Sequence, residues 1–421
     1  MNKKLVMMSF DALGDVDANL FESMPGFKYM IEEGSYIKRV KTVYPSLTYP
    51  CHASIISGRY PKDHGIVNNL LLQTGRKDMD WYWYEKYLKG DSLFRAARRK
   101  GLKTASLLWP VSARGNIDYN IAEIFPHRIW QNQVSVSLIN SSPKLLIDLD
   151  RRFGYMRDGI SQPQLDDFIE ASMHYIIKKF GPDLVMSHFV AVDDKKHRYG
   201  TKSDEVEKAI STYDDRIVNM LELLDYCRDT NLIVVSDHSQ IDLKVGIRLN
   251  KYLCELGYIE MSAGRIKKYK AIMQEAGGSC YIYSKDDDEE FLRELLMRLE
   301  EFAEKHKGIE RIYNSDQAEM LGADPDCAFM IEAEKGYYFL QDTDGEIFDE
   351  TFPKHRATHG YSPDKRGYSA VFFAIGPDFK NTKLEEARLI DIAPTISKVM
   401  NLGLKGAAGK CLYEIIEGHR I

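Results

Sequence analysis

The sequence predicts an α/β fold: a mostly parallel central sheet with helices on both faces. Three observations carry this. Short, almost wholly apolar runs such as Lys4–Phe10, 184–190 and Ala370–Ile375 read as strands buried on both sides. Amphipathic segments with a helical period separate them. Several of the runs end on an acidic or imidazole side chain, and in such sheets the carboxyl ends of the strands line one crevice.

Taken in order, Lys4–Phe10 is a strand closed by Asp11. Residues 19–33 read as a helix stopped by Gly34, and 35–43 as the next strand. Pro45 and Pro50 bracket an extended lead into a helix at 52–57, punctuated by Gly58 and Tyr60-Pro61. Thr48, in that lead, has two readings. It is either a helix N-cap, whose oxygen accepts from unpaired N–H groups, or a hydroxyl held for chemistry. Residues 91–100 form a basic helix before a strand at 104–109. The helix at 164–179 puts Ile169, Met173, Ile176 and Ile177 on one face, and Gly181-Pro182 leads into the strand at 184–190. A long helix follows at 205–227, then a strand rich in Ile and Val at 232–236. Ala370–Ile375 is another strand, and 390–400 the closing helix.

Two segments break this rhythm. Residues 116–162 read as irregular, with Pro126 and Pro143 and few periodic runs. Residues 240–354 hold a charged helix at 287–306, Gly-containing turns and alternating pieces at 327–331 and 337–341. The second is read as an inserted α+β cap over one end of the sheet. The core then comprises residues 1–239 and 355–421.

The chain has 421 residues, 44% hydrophobic and 29% charged, enough for a large core. Its formal net charge is −6, with basic and acidic residues mixed throughout, so no positive field favours a nucleic-acid polymer or an anionic membrane. The N-terminal apolar stretch runs only from Leu5 to Phe10, short of the roughly 7–15 residues of a secretory segment. No window approaches the roughly 18 apolar residues of a membrane span. The six cysteines lie far apart without a CxxC pair and read as free thiols of a reducing compartment. A soluble, cytoplasmic protein is expected.

The chemistry-bearing residues sit at the strand ends. "MSFD" ends at Asp11, "FVAVDDKKH" supplies Asp193 and His197, "VVSDHS" supplies Asp237 and His238, and "ATHGY" supplies His359. Each has a plainer role open to it: an N-cap for a strand-end Asp, a helical ion pair for Asp193 and His197. Together, three carboxylates and three imidazoles in one crevice would be poorly solvated and mutually repulsive without cations. Imidazole and carboxylate without thiolate suit Zn²⁺ or Mn²⁺.

The stretches "TYPCH", "SGRYP" and "HGIVNN", running from Thr48 to Asn69, resemble the nucleophile region of the type I phosphodiesterase/nucleotide pyrophosphatase branch of the alkaline phosphatase superfamily. The resemblance extends to Phe10-Asp11, to Trp109-Pro110, and to Asp193, His197 and Gly200 at D-x-x-x-H-x-x-G spacing. Ser236 to His238 match S-D-H, and His359 to Tyr361 match H-G-Y. Cys51 stands where the family usually has Asn, Ser239-Gln240 where it has Gly-Met, and Ala12-Leu13-Gly14 where it often has Gly-x-Arg. These departures bear on substrate preference and remove no ligand.

The resemblance implies an alkaline-phosphatase-like fold and two divalent ions, Zn²⁺ foremost and Mn²⁺ next. Asp193, His197 and His359 would hold one ion, and Asp11, Asp237, His238 and the Thr48 oxygen the other. Thr48 is implied as the nucleophile of a phosphothreonine intermediate, and Asn69 as a donor to the phosphate. A threonine hydroxyl is a weak nucleophile until a cation lowers its pKa, and a helix starting beside it offers N–H groups and dipole to an anion. The implied activity is metal-dependent hydrolysis of a small phosphate ester or nucleotide, as a phosphodiesterase or nucleotide pyrophosphatase. Phosphomonoesterase, phosphonate hydrolase and phosphomutase chemistry on the same scaffold are the rivals. A sulfatase is disfavoured because "CHASI" lacks the Pro and Arg of C/S-x-P-x-R. Membrane-bound phosphoethanolamine transferases share the core, but no membrane segment is found here. A metal-binding scaffold without catalysis is disfavoured by the intact Thr48. His52 and His64 read as structural hydrogen-bonding residues. The aromatic run at 81–87 either stacks on a substrate group or packs at a core edge.

Overall fold

The computed structural model describes residues 3–76, 78–285, 288–351 and 355–418. The expected helix start at Asp287, the expected insertion end at Lys354 and the outermost core residues at both chain ends lie outside the described residues.

Eight strands form the central sheet in the spatial order Lys383–Arg388, Ser35–Lys41, Ala370–Ile375, Thr230–Val235, Lys4–Phe10, Leu184–Phe189, Thr104–Leu107 and Tyr119–Ile121. Ala370–Ile375 runs antiparallel to both neighbours, and every other pairing is parallel. The expected sheet is therefore found, with helices on both faces. Alternation along Lys4–Phe10 sends Leu5 and Met7 into one apolar layer and Val6, Met8 and Phe10 into the other. The first layer is completed by Ile55 and Ile56 of Thr48–Ser57 and Ile392 and Ile396 of Ile392–Val399. The second takes Phe27 of Pro25–Glu33, Ile169 and Met173 of Gln164–Phe180, and Ile210 and Ile217 of Asp204–Leu223.

Several local expectations are corrected. The helix expected at 19–33 is two helices, Ala18–Phe21 and Pro25–Glu33, because Pro25 lacks an N–H and opens the second in its first turn. The strand expected at 104–109 stops at Leu107, where Leu108 turns to φ 55°. Residues 116–162 are more regular than expected. Tyr119–Ile121 closes one sheet edge, and two helices follow, Gln133–Asn140 and Pro143–Phe153. Asn132 caps the first of these by accepting from the Ser135 N–H at 2.9 Å, and Pro143 occupies the first turn of the second. Lys383–Arg388 was not foreseen, since an edge strand with sequence KLEEAR carries little apolar signal.

In the 240–351 region, Ala271–Ala276, Ser279–Ser284, Phe329–Ala333 and Ile309–Asn314 pair in that order as an antiparallel sheet. The helix Glu289–Lys305 buries Phe291, Leu295, Leu299 and Phe302 in a third apolar core, which Tyr361 and Tyr368 also enter.

His64 is fully buried under the helix Thr48–Ser57. The Ile66 N–H donates to its Nδ1 at 3.1 Å, so Nε2–H faces Ser54 Oγ at 3.0 Å. Burial holds its pKa down at about 3. Its folded value lies below the unfolded one, so the stability it confers is complete above pH 6.5 and is lost as pH falls through the window from 6.5 toward 3. A His64→Asn variant should lose acid sensitivity worth about 1.4 kcal/mol per pH unit across the upper part of that window. Denaturant titrations at pH 6.5 and 5.0 check this, and identical pH slopes for variant and wild type would contradict it.

Candidate active site

Three neighbouring strands bring the acids together. Thr230–Val235, Lys4–Phe10 and Leu184–Phe189 lie side by side and parallel, so their carboxyl ends open onto the same edge. Asp11 follows the middle strand directly, its N–H donating to Phe189 O at 2.9 Å. Asp237 and His238 follow Thr230–Val235 after Ser236. Asp193 is not itself a strand-end residue. It lies in the first turn of the helix Ala191–Tyr199, which places His197 one turn on, with Nε2 at 3.4 Å from Asp193 Oδ1.

His359 arrives on a tight loop. Gly360 there has φ 88°, and a Cβ on it would stand 1.7 Å from Ala276 O. Only glycine fits that approach. The Gly360 N–H donates to Ser46 O at 3.0 Å, and the Gly278 N–H to His359 O at 2.9 Å. The imidazoles of His238 and His359 stack at 4.2 Å between centroids, and His197 lies 5.2 Å from His359.

Ligand-type atoms gather in two groups, one of Asp193, His197 and His359 and one of Asp11, Asp193 and His238. Asp193 is common to both. His238 Nε2 is the focus of the second group: Asp237 Oδ2 is 3.1 Å away, Thr48 Oγ1 3.3 Å and Asp11 Oδ1 3.6 Å. Asp11 Oδ1 and Asp237 Oδ2 are buried, and among the described residues no hydrogen bond satisfies them. Burial pushes both carboxyls well above the usual range, and each is raised further by neighbouring acids, Asp193 beside Asp11 and Asp11 beside Asp237. Burial drives His238 well below its usual value and holds His359 at about 3, so both imidazoles are neutral at pH 7. His197 Nδ1–H donates to Ala357 O at 2.8 Å, which leaves its Nε2 lone pair facing Asp193. Neutral imidazoles and crowded carboxylates with unmet oxygens fit divalent cations.

Thr48 is the first residue of its helix rather than a cap. Leu47 holds the N-cap position, no side chain caps the helix, and Thr48 Oγ1 faces His238. His52 Nδ1–H donates to Thr48 O at 2.8 Å while the Ser9 hydroxyl donates to Nε2 at 2.9 Å, so one imidazole pins the Thr48 backbone to the first strand. The expected row of helix N–H donors is reduced. The Tyr49 N–H is taken by Asn69 Oδ1 at 2.9 Å, Pro50 has none, and Cys51 N–H bonds to Leu47 O. Asn69 is thereby held at the start of the helix, its Oδ1 engaged by the residue after Thr48.

Sequence reading missed three neighbours. His188 donates from Nε2 to Asp11 Oδ2 at 3.0 Å, and its Nδ1 lies 3.8 Å from Glu123 Oε2. Burial raises Glu123 to about 7. Gln240 donates to Asp193 Oδ1 at 2.5 Å. His188 and Glu123 lie in no motif, and Gln240 is marked only as a departure from one; His188 could have been found as the sole polar group besides Ser187 in an otherwise apolar strand. In the aromatic run, Trp83 is core, whereas Trp81 meets the Tyr49 ring at 5.2 Å, next to Thr48.

The sequence profile of type I phosphodiesterase / nucleotide pyrophosphatase matches residues 5–362. The chain belongs to this family. Human ectonucleotide pyrophosphatase/phosphodiesterase family member 1 is 29% identical over 245 residues, a match spanning 55% of this chain and 23% of that protein. Human family member 5 is 21% identical over 422 residues, covering 95% of this chain and 75% of the relative. The solved structure of human family member 5 superposes with a TM-score of 0.70 at 19% identity, over 99% of this chain and 100% of that one. That of the murine protein, an inactive Thr-to-Ala variant in complex with AMP, gives 0.69 at 19% identity over 97% of each. At that identity the two structures show that the fold is shared with this family. Among the described residues, no helix is long and apolar enough to cross a membrane.

Proposed function

We propose that the protein is a metal-dependent phosphodiesterase or nucleotide pyrophosphatase in which Thr48 is the nucleophile and a phosphothreonine is formed and hydrolysed. The observation that carries this is the focus at His238 Nε2, where Thr48 Oγ1, Asp11 and Asp237 converge within 3.6 Å. Family membership and the AMP-bound murine relative, inactive as a Thr-to-Ala variant, support the reading.

Asp193, His197 and His359 would hold one ion, and Asp11, Asp237, His238 and Thr48 the other; Zn²⁺ suits the donors best, with Mn²⁺ next. When bound, the ions supply positive charge against the phosphate and lower the pKa of the oxygens they touch. The chain's own residues do the rest. His52 fixes the Thr48 backbone, so its oxygen is aimed before substrate arrives. Asn69 NH₂ donates to a non-bridging phosphate oxygen. Thr48 Oγ gives up its proton and forms a bond to phosphorus as the bond to one ester oxygen breaks, and that oxygen departs with the electron pair and takes up the proton released. Water then loses a proton and attacks the same phosphorus from the side opposite Thr48, and the Thr48 oxygen leaves with the electron pair and takes up that proton. Net, one P–O ester bond is exchanged for one water. His188, hydrogen-bonded to Asp11, is a positioning residue for that carboxylate.

We place residues 240–354 as an inserted cap on a core of 1–239 and 355–421. Six unpaired cysteines support a reducing, cytoplasmic setting.

A substrate panel on the Zn²⁺- or Mn²⁺-loaded protein tests the reading: a nitrophenyl phosphodiester, a nitrophenyl monoester, a phosphonate monoester, a dinucleotide and a nucleoside triphosphate. Diester or pyrophosphate hydrolysis should lead. Monoester preference would reassign the protein to its phosphomonoesterase rivals.

A further inference from the structure

Four cations, Lys202, Lys244, Lys335 and Arg366, line one cleft of about 340 Å³. The cleft is separate from the candidate site, since neither Thr48 nor any of the six candidate metal ligands lines it. Gln240 closes it on that side: it is buried, and its NH₂ donates to Asp193 Oδ1 at 2.5 Å. Hydrogen bonds lock the other walls together. The Lys244 and Val245 N–H groups both donate to Gly336 O, at 2.7 and 3.1 Å, and Lys335 Nζ donates to Arg366 O at 2.6 Å. A Cβ on Gly336 would stand 3.2 Å from Lys244 Cδ, so the lysine stem lies against bare backbone there. Among the described residues, Lys202, Lys244 and Arg366 form no ion pair or side-chain hydrogen bond, and Lys335 has only the bond to Arg366 O. Both acids in the lining are already engaged. Asp17 Oδ2 accepts from the buried Lys196 ammonium at 2.6 Å and from the Gly14 N–H at 2.8 Å. Asp242 accepts from the Thr201 N–H at 2.6 Å and the Thr201 hydroxyl at 2.9 Å. Lys196 neutralises Asp17, so four cations stand against the single carboxylate of Asp242, in a chain whose formal net charge is −6.

We propose that this cleft is an anion site for a small dianionic oxyanion of the phosphate class, distinct from the centre at Thr48. Like charges gathered in a concavity repel one another and focus a positive field, and a dianion relieves both effects at once. Lysine ammonium groups meet a phosphate oxygen as point charges, and the Arg366 guanidinium offers a fork that two oxygens can share. A volume of about 340 Å³ is at the low end of the roughly 300–1,000 Å³ of sites that enclose a ligand, which suits a free oxyanion or a small phosphate monoester. Lys244 and Lys335 belong to the 240–354 segment, whereas Lys202 and Arg366 belong to the flanking core. An anion held by all four joins the two parts of the chain. The site is independent of the hydrolase reading, because it needs neither turnover nor the ions.

Calorimetry of inorganic phosphate against the metal-loaded full chain, at constant ionic strength, tests the proposal. Wild type should show a site with a Kd below about 1 mM. Each cation deleted should weaken it by about tenfold or more, so Lys244→Ala/Lys335→Ala should lose it and the stoichiometry should fall by one. Lys202→Ala/Arg366→Ala should do the same from the other wall, and decides the matter if the first variant fails to fold. All four side chains are exposed and lie outside the reaction centre, so both folded variants should hydrolyse a nitrophenyl phosphodiester at the wild-type rate. Sulfate should compete with phosphate for the site, and chloride should not. Tighter binding of glycerol 3-phosphate than of phosphate identifies a monoester as the ligand, and the reverse order identifies the free ion; either supports the proposal. Unchanged stoichiometry and affinity in both variants overturn it. Displacement by chloride as readily as by sulfate means an adventitious ion only and also overturns it. Phosphate binding lost together with turnover would place the anion in the reaction centre and overturn it too. A wild type that hydrolyses nothing would sink the hydrolase reading alone, and the calorimetry would still decide the cleft.

Discussion

Thr48→Ala, folded and metal-loaded, should hydrolyse a nitrophenyl phosphodiester at least a thousandfold more slowly than wild type. The size of the loss follows from the role. Removing a nucleophile eliminates the covalent route, and what remains is catalysis from the binding and charge of the site. Stability should change little. Thr48 makes no capping bond, so the usual cost of about 1 kcal/mol for deleting a cap does not apply. The helix stays anchored through Leu47, His52 and the Asn69 contact to the Tyr49 N–H. Thr48→Ser keeps the attacking oxygen but frees its χ1, since serine lacks the methyl that restricts threonine, and should retain a measurable part of the activity. Rates are to be read beside circular dichroism and metal content. A well-folded Thr48→Ala with near wild-type turnover would place the nucleophile elsewhere.

Removing the metal should have an effect of similar size. Excess chelator should abolish turnover, and added Zn²⁺ or Mn²⁺ should restore it. Asp237→Ala should do the same irreversibly. The thermal midpoint offers a second readout. An ion bound only by the native state stabilises it by about 2.7 kcal/mol when present at a hundred times its Kd. Chelation should therefore lower the midpoint, and by more than in Asp237→Ala, which has less metal to lose. Asp237 makes that variant informative. Its carboxylate sits fully buried beside Asp11 and against two imidazoles, His238 Nε2 at 3.1 Å and His52 Nδ1 at 3.5 Å. Without a cation this cluster is a liability. An unchanged midpoint with full activity in chelator would refute the metal reading.

Much of the sheet was legible because a strand buried on both faces needs an unbroken apolar run, as in Lys4–Phe10 and Ala370–Ile375. The acids and histidines were legible for a related reason: parallel neighbours open their carboxyl ends in one direction, so Asp11 and Asp237 must meet however far apart they lie in sequence. What was hidden depended on contacts. His188 looks like one polar slip in a strand until Asp11 and Glu123 are seen on either side of its ring. The helix N–H groups near Thr48 looked available because no local pattern reveals that Asn69 returns from 20 residues on to take one. Residues 116–162 seemed irregular because prolines read as breaks. There Pro143 opens a helix, since its missing N–H costs nothing in a first turn.

The stereochemical course at phosphorus tests the covalent mechanism most directly. A nitrophenyl phosphorothioate diester of one configuration, hydrolysed by the metal-loaded protein in ¹⁸O-labelled water, gives a product whose configuration can be read. Attack by Thr48 followed by attack of water is two in-line displacements, each inverting, so the account predicts net retention. Net inversion would mean that water attacks the substrate directly and that no phosphothreonine is formed.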